Sequence, residues 1–344
     1  MPAPRPTCPP LPAPPPTARC RPWPGPAVAV AAALAAVVLL APPTSAQPSY
    51  ELTESGFVPL DVPAPGSPAA RLAQARKLIA QDQPGDAVEL LDEWIKQHPA
   101  DPLIVEAFLM RGDAKAAAGD YYQALFDYEE LISIYPATPQ FWTALEREYK
   151  IAVLYSNGLK RKLFGQRWLS AKAEAAELLI RIQERAPGST LGQRASIALA
   201  DHYFNEGEMA QAAEAYDLFL LNYPESELRQ RALLRLIQSS LARFKGPEFD
   251  ATGLIDAGER LRQYRDEYPA GADRVGVEAL LIRIRESLAR RDLASARWYD
   301  RTGEDVSATL LYRRMIREYP DTAAARQAMD RLEALGQPIV ETPR

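Results

Sequence analysis

The sequence predicts an all-α chain: a right-handed helical-repeat solenoid of about six helix pairs. Three observations carry that prediction. The first is a motif met three times: GDYYQALFDYEELISIYPAT (119–138), GEMAQAAEAYDLFLLNYPES (207–226) and GEDVSATLLYRRMIREYPDT (303–322). Each has Gly first, Ala sixth, Tyr tenth, Tyr seventeenth and Pro eighteenth, while most other positions differ. The second is a spacing. Pro99, Pro136, Pro187, Pro224, Pro269 and Pro320 each follow an alanine by twelve residues: Ala87, Ala124, Ala175, Ala212, Ala257 and Ala308. The third is composition: from about Ala69 to Leu335, Ala, Leu, Glu, Arg and Gln dominate and strand-like alternation is scarce.

The prolines are separated by 37, 51, 37, 45 and 51 residues, so a unit of about 37 recurs with insertions. Helix-turn-helix units of this length are the tetratricopeptide class, in which each pair buries its apolar face on its neighbours and one core runs through the stack.

Taken in order, residues 1–46 are a different material from the rest. A Pro-rich leader carrying Arg5, Arg19 and Arg21 precedes the apolar run AVAVAAALAAVVLLA (27–41), and Thr44-Ser45-Ala46 supply small residues after it. These are the parts of a secretory signal cleaved near Ala46, the alternative being an uncleaved anchor; fifteen residues is short for a span that needs about 20. Residues 47–68 are Pro- and Ser-rich without helical period and read as a tether. The repeat domain is expected over 69–337, with a disordered tail at 338–344.

Within the motif each fixed residue has a physical task. Gly119, Gly207 and Gly303 end a first helix, where a left-handed residue is needed. Asp120, Glu208 and Glu304 suit the positive start of the second helix. Ala124, Ala212 and Ala308 let helices approach closely; Tyr128, Tyr216 and Tyr312, four residues on, fill the space between repeats. The Tyr-Pro pairs stop the second helix. The pattern is packing code.

Two segments depart from it. SNGLKRKLFGQRWLSAKA (156–173) is a basic, aromatic insertion in the third repeat, and 274–302 read as one long helical stretch.

Chemistry is sparse. No two glycines stand two apart, and GxxxxGK[ST], HExxH and GxSxG are all missing. The histidines, His98 and His202, are far apart; His202 reads as a partly buried helix residue. Cys8 and Cys20 precede the apolar run, so cleavage near Ala46 would leave no thiol for a disulfide, a metal or a lipid. No cofactor, metal or small-molecule substrate is expected. The chain is acidic, with a net charge of −5 that deepens once the leader arginines are removed; such a surface repels nucleic acid and anionic lipid.

The face expected to bind other proteins is the one lined by the first helix of each pair. Counted from the prolines, Arg76, Asp113, Asp201 and Arg297 are equivalent, with Asn205 and Arg301 one turn further on. Arg290, Arg297 and Arg301 share one helix side. Either this is a solvated face, or it receives an extended peptide or a partner's carboxylates. The KRKLFGQRW segment reads likewise as a basic loop, or as a docking loop anchored by Phe164 and Trp168.

Residues 288–336, LARRDLASARWYDRTGEDVSATLLYRRMIREYPDTAAARQAMDRLEALG, together with YDLFLLNYPESE (216–227), resemble the outer-membrane assembly lipoprotein family, BamD/YfiO. The likeness runs over roughly 69–337 and is strongest after Gly192. It implies a periplasmic scaffold of about five helix pairs, held at the outer membrane, that helps insert β-barrel proteins. N-terminal repeats of the family are associated with substrate segments and C-terminal ones with the barrel-forming partner. Family members carry their lipid on a cysteine after the signal, a residue this reading of the chain lacks. The expected function is therefore a non-enzymatic envelope scaffold in outer-membrane protein assembly, in the periplasm or peripherally on the periplasmic side of the outer membrane. The alternative is a periplasmic tetratricopeptide adaptor of cell-wall or division machinery.

Overall fold

The computed structural model describes residues 50–53, 56–59, 63–163, 165–246 and 250–339. The expected export leader, Phe164 of the insertion and residues 340–344 of the expected tail lie outside the described residues. Fourteen helices and two antiparallel hairpins are found among the described residues.

The segment expected as a tether holds the first hairpin. β1 (Tyr50–Thr53) pairs with β2 (Gly56–Pro59), with Tyr50 opposite Pro59 and Leu52 opposite Phe57. Tyr, Leu, Phe and Val supply strand-forming residues to both arms, and a search for helical period does not see period two. This hairpin belongs to a compact unit separate from the helical one that starts at Pro63.

The helical unit is an all-α tetratricopeptide solenoid. Its pairs are α1 (Pro68–Ala80) with α2 (Pro84–Gln97), α3 (Ile104–Ala117) with α4 (Tyr121–Ile134), and α5 (Pro139–Ser156) with α6 (Lys172–Arg185). Next come α7 (Thr190–Glu206) with α8 (Met209–Asn222) and α9 (Arg229–Ala242) with α10 (Thr252–Glu267). A short α11 (Pro269–Val275) leads into α12 (Val277–Thr302), which pairs with α13 (Asp305–Glu318), and α14 (Ala323–Ala334) covers the end. The single stretch expected over 274–302 is thus interrupted, because Gly276 takes φ 73° between α11 and α12.

The motif residues do the tasks assigned to them. His98, Tyr135, Ala186, Tyr223, Tyr268 and Tyr319 end their helices with φ between −123° and −134° and ψ between 50° and 64°. In every case the next residue is proline, whose ring excludes helical geometry from the residue before it. Gly119, Gly207 and Gly303 sit at φ 77° to 81°, a conformation that costs a side chain. Ala124, Ala212 and Ala308 are fully buried, as are Tyr128 and Tyr216, with Tyr312 at 1% exposure. Asp120, Glu208 and Glu304 stand at the cap positions without a side-chain hydrogen bond to the helix start. Hydroxyl caps appear elsewhere, where Ser67, Ser189 and Thr322 accept from the N–H groups of Ala70, Gly192 and Ala325.

One residue of this packing has no place in the motif. A Cβ on Gly112, inside α3, would lie 2.4 Å from the buried ring of Tyr128. Glycine is the residue that lets this tyrosine lie against a neighbouring backbone.

One core was expected to run through the stack. The buried residues fall into three clusters, Leu72–Leu199, Ile197–Ile284 and Ala289–Leu332; the first two are bridged by the half-buried Tyr203, which packs against both. The clusters meet within α7 and within α12, two helices that offer different faces or different turns to successive neighbours. In a linear stack each layer touches only the next, so apolar contact is passed along rather than shared.

Candidate protein-binding face

The first helices carry a chain of polar contacts from one repeat to the next. Arg76 of α1 pairs with Glu106 of α3. Asp113 of α3 receives Arg147 of α5 through Nε at 2.8 Å and Nη2 at 3.2 Å. Arg194 of α7 reaches both carboxylate oxygens of Glu146 on α5, each at 3.1 Å. Asp201 of α7 pairs with Arg231 of α9. Asp300 of α12 receives Arg331 of α14 at 2.7 and 2.9 Å.

Three of these carboxylates also hold the motif tyrosines. Tyr128 donates its hydroxyl to Asp113 at 2.8 Å, Tyr216 to Asp201 at 2.5 Å and Tyr312 to Asp300 at 3.1 Å. Burial first, then the neighbouring aspartate, raises all three phenols above their ordinary range, so each is a committed donor. The hydrogen bond from Arg331 is the largest of the causes holding the Asp300 carboxyl below its usual range. A buried ring, a carboxylate and the next repeat's arginine form one joint, and a paired hydroxyl makes the polar end of the ring tolerable in the core.

Asp113 and Asp201, picked from sequence as partner-binding, are thus placed in joints between repeats. Their expected equivalent in the last repeat, Arg297, is not at the joint; Asp300, one turn later, is. The proline register does not see this shift, since Gly303 ends α12 at the same place in the motif at which Gly207 ends α7.

The remaining candidates are less committed. Asn205 is exposed near the end of α7. Arg290 is exposed and pairs with Glu286 at 3.3 Å, while the other oxygen of Glu286 accepts from the backbone N–H of Ala323 at the start of α14. Arg297 donates to the neutral side chain of Gln327 at 2.8 Å, and Arg301 projects into solvent. Among the described residues neither Arg297 nor Arg301 is in an ion pair. Two guanidinium charges one turn apart thus stand without ion pairs near the end of α12, as does Arg235 on α9, which lies over the ring of Phe204.

The insertion is a second hairpin, β3 (Arg161–Leu163) with β4 (Gln166–Leu169). Its basic residues are turned inward. Lys162 Nζ lies 2.8 Å from Asp120 Oδ1 and 2.9 Å from the carbonyl of Ala118; Arg167 donates to the carbonyl of Gly119 at 2.9 Å. Cations on the last carbonyls of α3 answer the negative end of that helix. Arg161 stacks on Tyr122, its guanidinium carbon 3.5 Å from the ring centre, and pairs with Glu174. Trp168, 71% exposed, and Leu169, 46% exposed, are left outside, beside exposed Lys160 and Gln166.

His202 is buried, with Nδ1 3.1 Å from the hydroxyl of Ser156 and a pKa lowered by that burial. Among the described residues, no group of three or more His, Cys, Asp and Glu side chains could hold a metal ion, and no helix is long and apolar enough to cross a membrane.

A stack of helix pairs joined by buried tyrosines and cross-repeat ion pairs defines a tetratricopeptide protein, and the family model for that repeat matches residues 106–138. A second family model, YfiO, described as outer membrane lipoprotein, matches residues 147–337, from α5 to the end of α14. That is more than half of the sequence, and the chain belongs to this family. No curated protein matches. Among solved structures, the C-terminal part of a tetratricopeptide protein from Cytophaga hutchinsonii is similar at 12% identity, over 77% of this chain and 88% of that one, with a TM-score of 0.37. A tetratricopeptide protein from Parabacteroides merdae is similar at 14% identity, over 76% and 97%, with a TM-score of 0.36. MamA from Desulfovibrio magneticus is similar at 17%, over 62% and 98%, with a TM-score of 0.34. At those scores they add nothing to the fold already described.

Proposed function

We propose that this protein is a non-enzymatic scaffold of the cell envelope that binds other proteins on the periplasmic side of the outer membrane, in the assembly of β-barrel proteins. The observation that carries the reading is the family match over α5–α14. It covers the part of the chain where Arg297 and Arg301 stand without ion-pair partners. Open guanidinium groups suit a partner's carboxylates, which they bind in bidentate fashion. Arg290 and Asn205 extend the same face, and Asp113 and Asp201 stiffen it through their joints. The inserted hairpin offers a second contact, with Trp168 as an apolar anchor and Phe164 as its companion.

Co-purification from envelope extract tests the class of partner. The unaltered chain is expected to bring down a barrel-assembly component. Recovery of cell-wall or division proteins in its place would favour the adaptor reading. A double Arg297→Ala, Arg301→Ala variant tests the face. It should keep its helical circular dichroism, since the one bond it removes inside the protein is to exposed Gln327. It should lose the partner, because truncating one side of a desolvated charge pair costs about 2–5 kcal/mol in binding. Undiminished capture by a folded variant would take this face out of the mechanism.

A further inference from the structure

The turn between α3 and α4 holds more donors than the chain uses. α4 starts without a side-chain cap, and the N–H groups of Tyr121, Tyr122 and Gln123 have no acceptor among the described residues. Asp120 stands at the cap position but has ψ 58°, whereas Ser67, Ser189 and Thr322, which do cap their helices, have ψ between 156° and 162°. Its carboxylate turns to Lys162 instead. Starts of this kind recur at α2, α8 and α13, with ψ between 59° and 67°, so the helix end alone marks nothing.

Its surroundings do. Lys162 and Arg167 of the inserted hairpin and Tyr155 of α5 join these residues in lining a cavity of about 50 Å³, room for more than one water. Tyr155 is 1% exposed, and its hydroxyl has no hydrogen-bond partner among the described residues. That hydroxyl is not sealed in protein, as both oxygens of Glu148 are, and the cavity is where the residue meets open space. Burial pushes the phenol up to about 12 while Arg161 and Arg167 pull the other way, so it is a donor in the field of a cation that lines the cavity. A buried hydroxyl left unpaired is costly, and a native fold that keeps one asks for a partner.

The charges point the same way. Lys162 is answered by Asp120. Arg167 is in no ion pair among the described residues; it donates to the carbonyls of Lys160 and Gly119 and lies over the ring of Tyr121, with N–H groups to spare. Gly119 has no side chain to hold the two cations off, since a Cβ there would lie 3.1 Å from Arg167 Nη2 and 3.5 Å from Lys162 Nζ. The cavity thus combines one net positive charge, the open N–H groups at the positive end of α4 and a buried hydroxyl.

We propose that this cavity binds a carboxylate of a protein partner, from an acidic side chain or a chain end. Its oxygens would accept from the N–H groups that start α4 and from the Tyr155 hydroxyl, with Arg167 supplying the charge. One net positive charge suits a monoanion; a phosphate dianion would exceed it, and a cation would meet donors. The inference takes from the scaffold reading only that the ligand belongs to a protein, and it involves none of the α12 arginines.

The test follows the backbone amide shifts of Tyr121, Tyr122 and Gln123 by NMR in the full chain at pH 7. Ac-Gly-Glu-Gly-NH₂, Ac-Gly-Gln-Gly-OH and the neutral Ac-Gly-Gln-Gly-NH₂ are each titrated into the millimolar range, beside inorganic phosphate. One or both carboxylate peptides should move these amides saturably, and which of them does so names the source; the neutral peptide should not. Tyr155→Phe keeps the ring and removes only the unpaired hydroxyl. It should weaken the binding at least about fivefold while melting no lower than the unaltered chain. No saturable shift, equal shifts with the neutral peptide, tighter binding of phosphate, or binding unchanged in Tyr155→Phe would each overturn the proposal. A lower melting temperature for Tyr155→Phe would overturn it too, by showing the hydroxyl already paired. None of these results would alter capture through Arg297 and Arg301, so the two readings fail separately.

Discussion

At the scale of single residues, the fold is built on small groups that make room for large ones. Gly112 lies against the ring of Tyr128, and Ala124, four residues before that tyrosine, is as fully buried as the ring itself. Glu148 is the exception, a charge where the helical stripe wants an apolar residue. Burial, and secondarily the charge of Glu129, push its carboxyl up to about 7, with Arg185 and Arg181 pulling the other way. A folded-state pKa above the ordinary 4.5 means the folded protein prefers the protonated acid, so the charge costs nothing below pH 4.5 and its full amount above pH 7. Glu148→Gln should therefore raise the melting temperature at pH 8, by a stabilisation of up to about 3 kcal/mol, and the gain should fade towards pH 5. A gain independent of pH would mean that shape, not charge, sets the cost.

At the scale of elements, the inserted hairpin shows how a two-stranded ribbon, marginal alone, is made to persist. Lys162 and Arg167 clamp it to the carbonyl end of α3. Arg167→Ala should speed limited proteolysis within 160–169 several-fold, yet move global stability by less than about 1 kcal/mol, since the contact is partly exposed. Trp168→Ala should change neither, because the ring touches solvent; a marked loss of stability would assign it a packing role in place of docking. The joints between first helices follow a related logic. Each of the cross-repeat ion pairs is worth little by itself, but Tyr128–Asp113–Arg147 and its two counterparts set the phase of one repeat on the next.

At the scale of the whole molecule, stability is passed along three clusters rather than pooled. The last, Ala289–Leu332, is rich in alanine, which buries the least apolar surface per residue, and it is tied to the rest through α12. Denaturant-dependent hydrogen exchange should find α13 and α14 opening at lower free energy than α3–α7. Uniform protection along the chain would show one cooperative unit instead. A weaker C-terminal cluster beside open arginines suits a surface that adjusts to a partner.

Much of this was legible before any coordinates. Proline, glycine and alanine act through the backbone of their own turn, so the helix ends, the left-handed turns and the buried tyrosines follow from local spacing. Glu148 was not singled out from sequence, although its spacing carried the signal: it stands three residues from Leu145 and from Ile151 and four from Ala152, on a stripe that is otherwise apolar. What the tertiary structure alone decided is which polar groups meet. Asp113 and Arg147 lie 34 residues apart, and Asp300 and Arg331 lie 31 apart; no local pattern joins them, because the pairing depends on the angle at which one helix pair stacks on the next. The same dependence turned the basic insertion inward and left Trp168 outside. Local sterics are written in sequence, whereas complementarity between distant charges exists only once packing has fixed their separation.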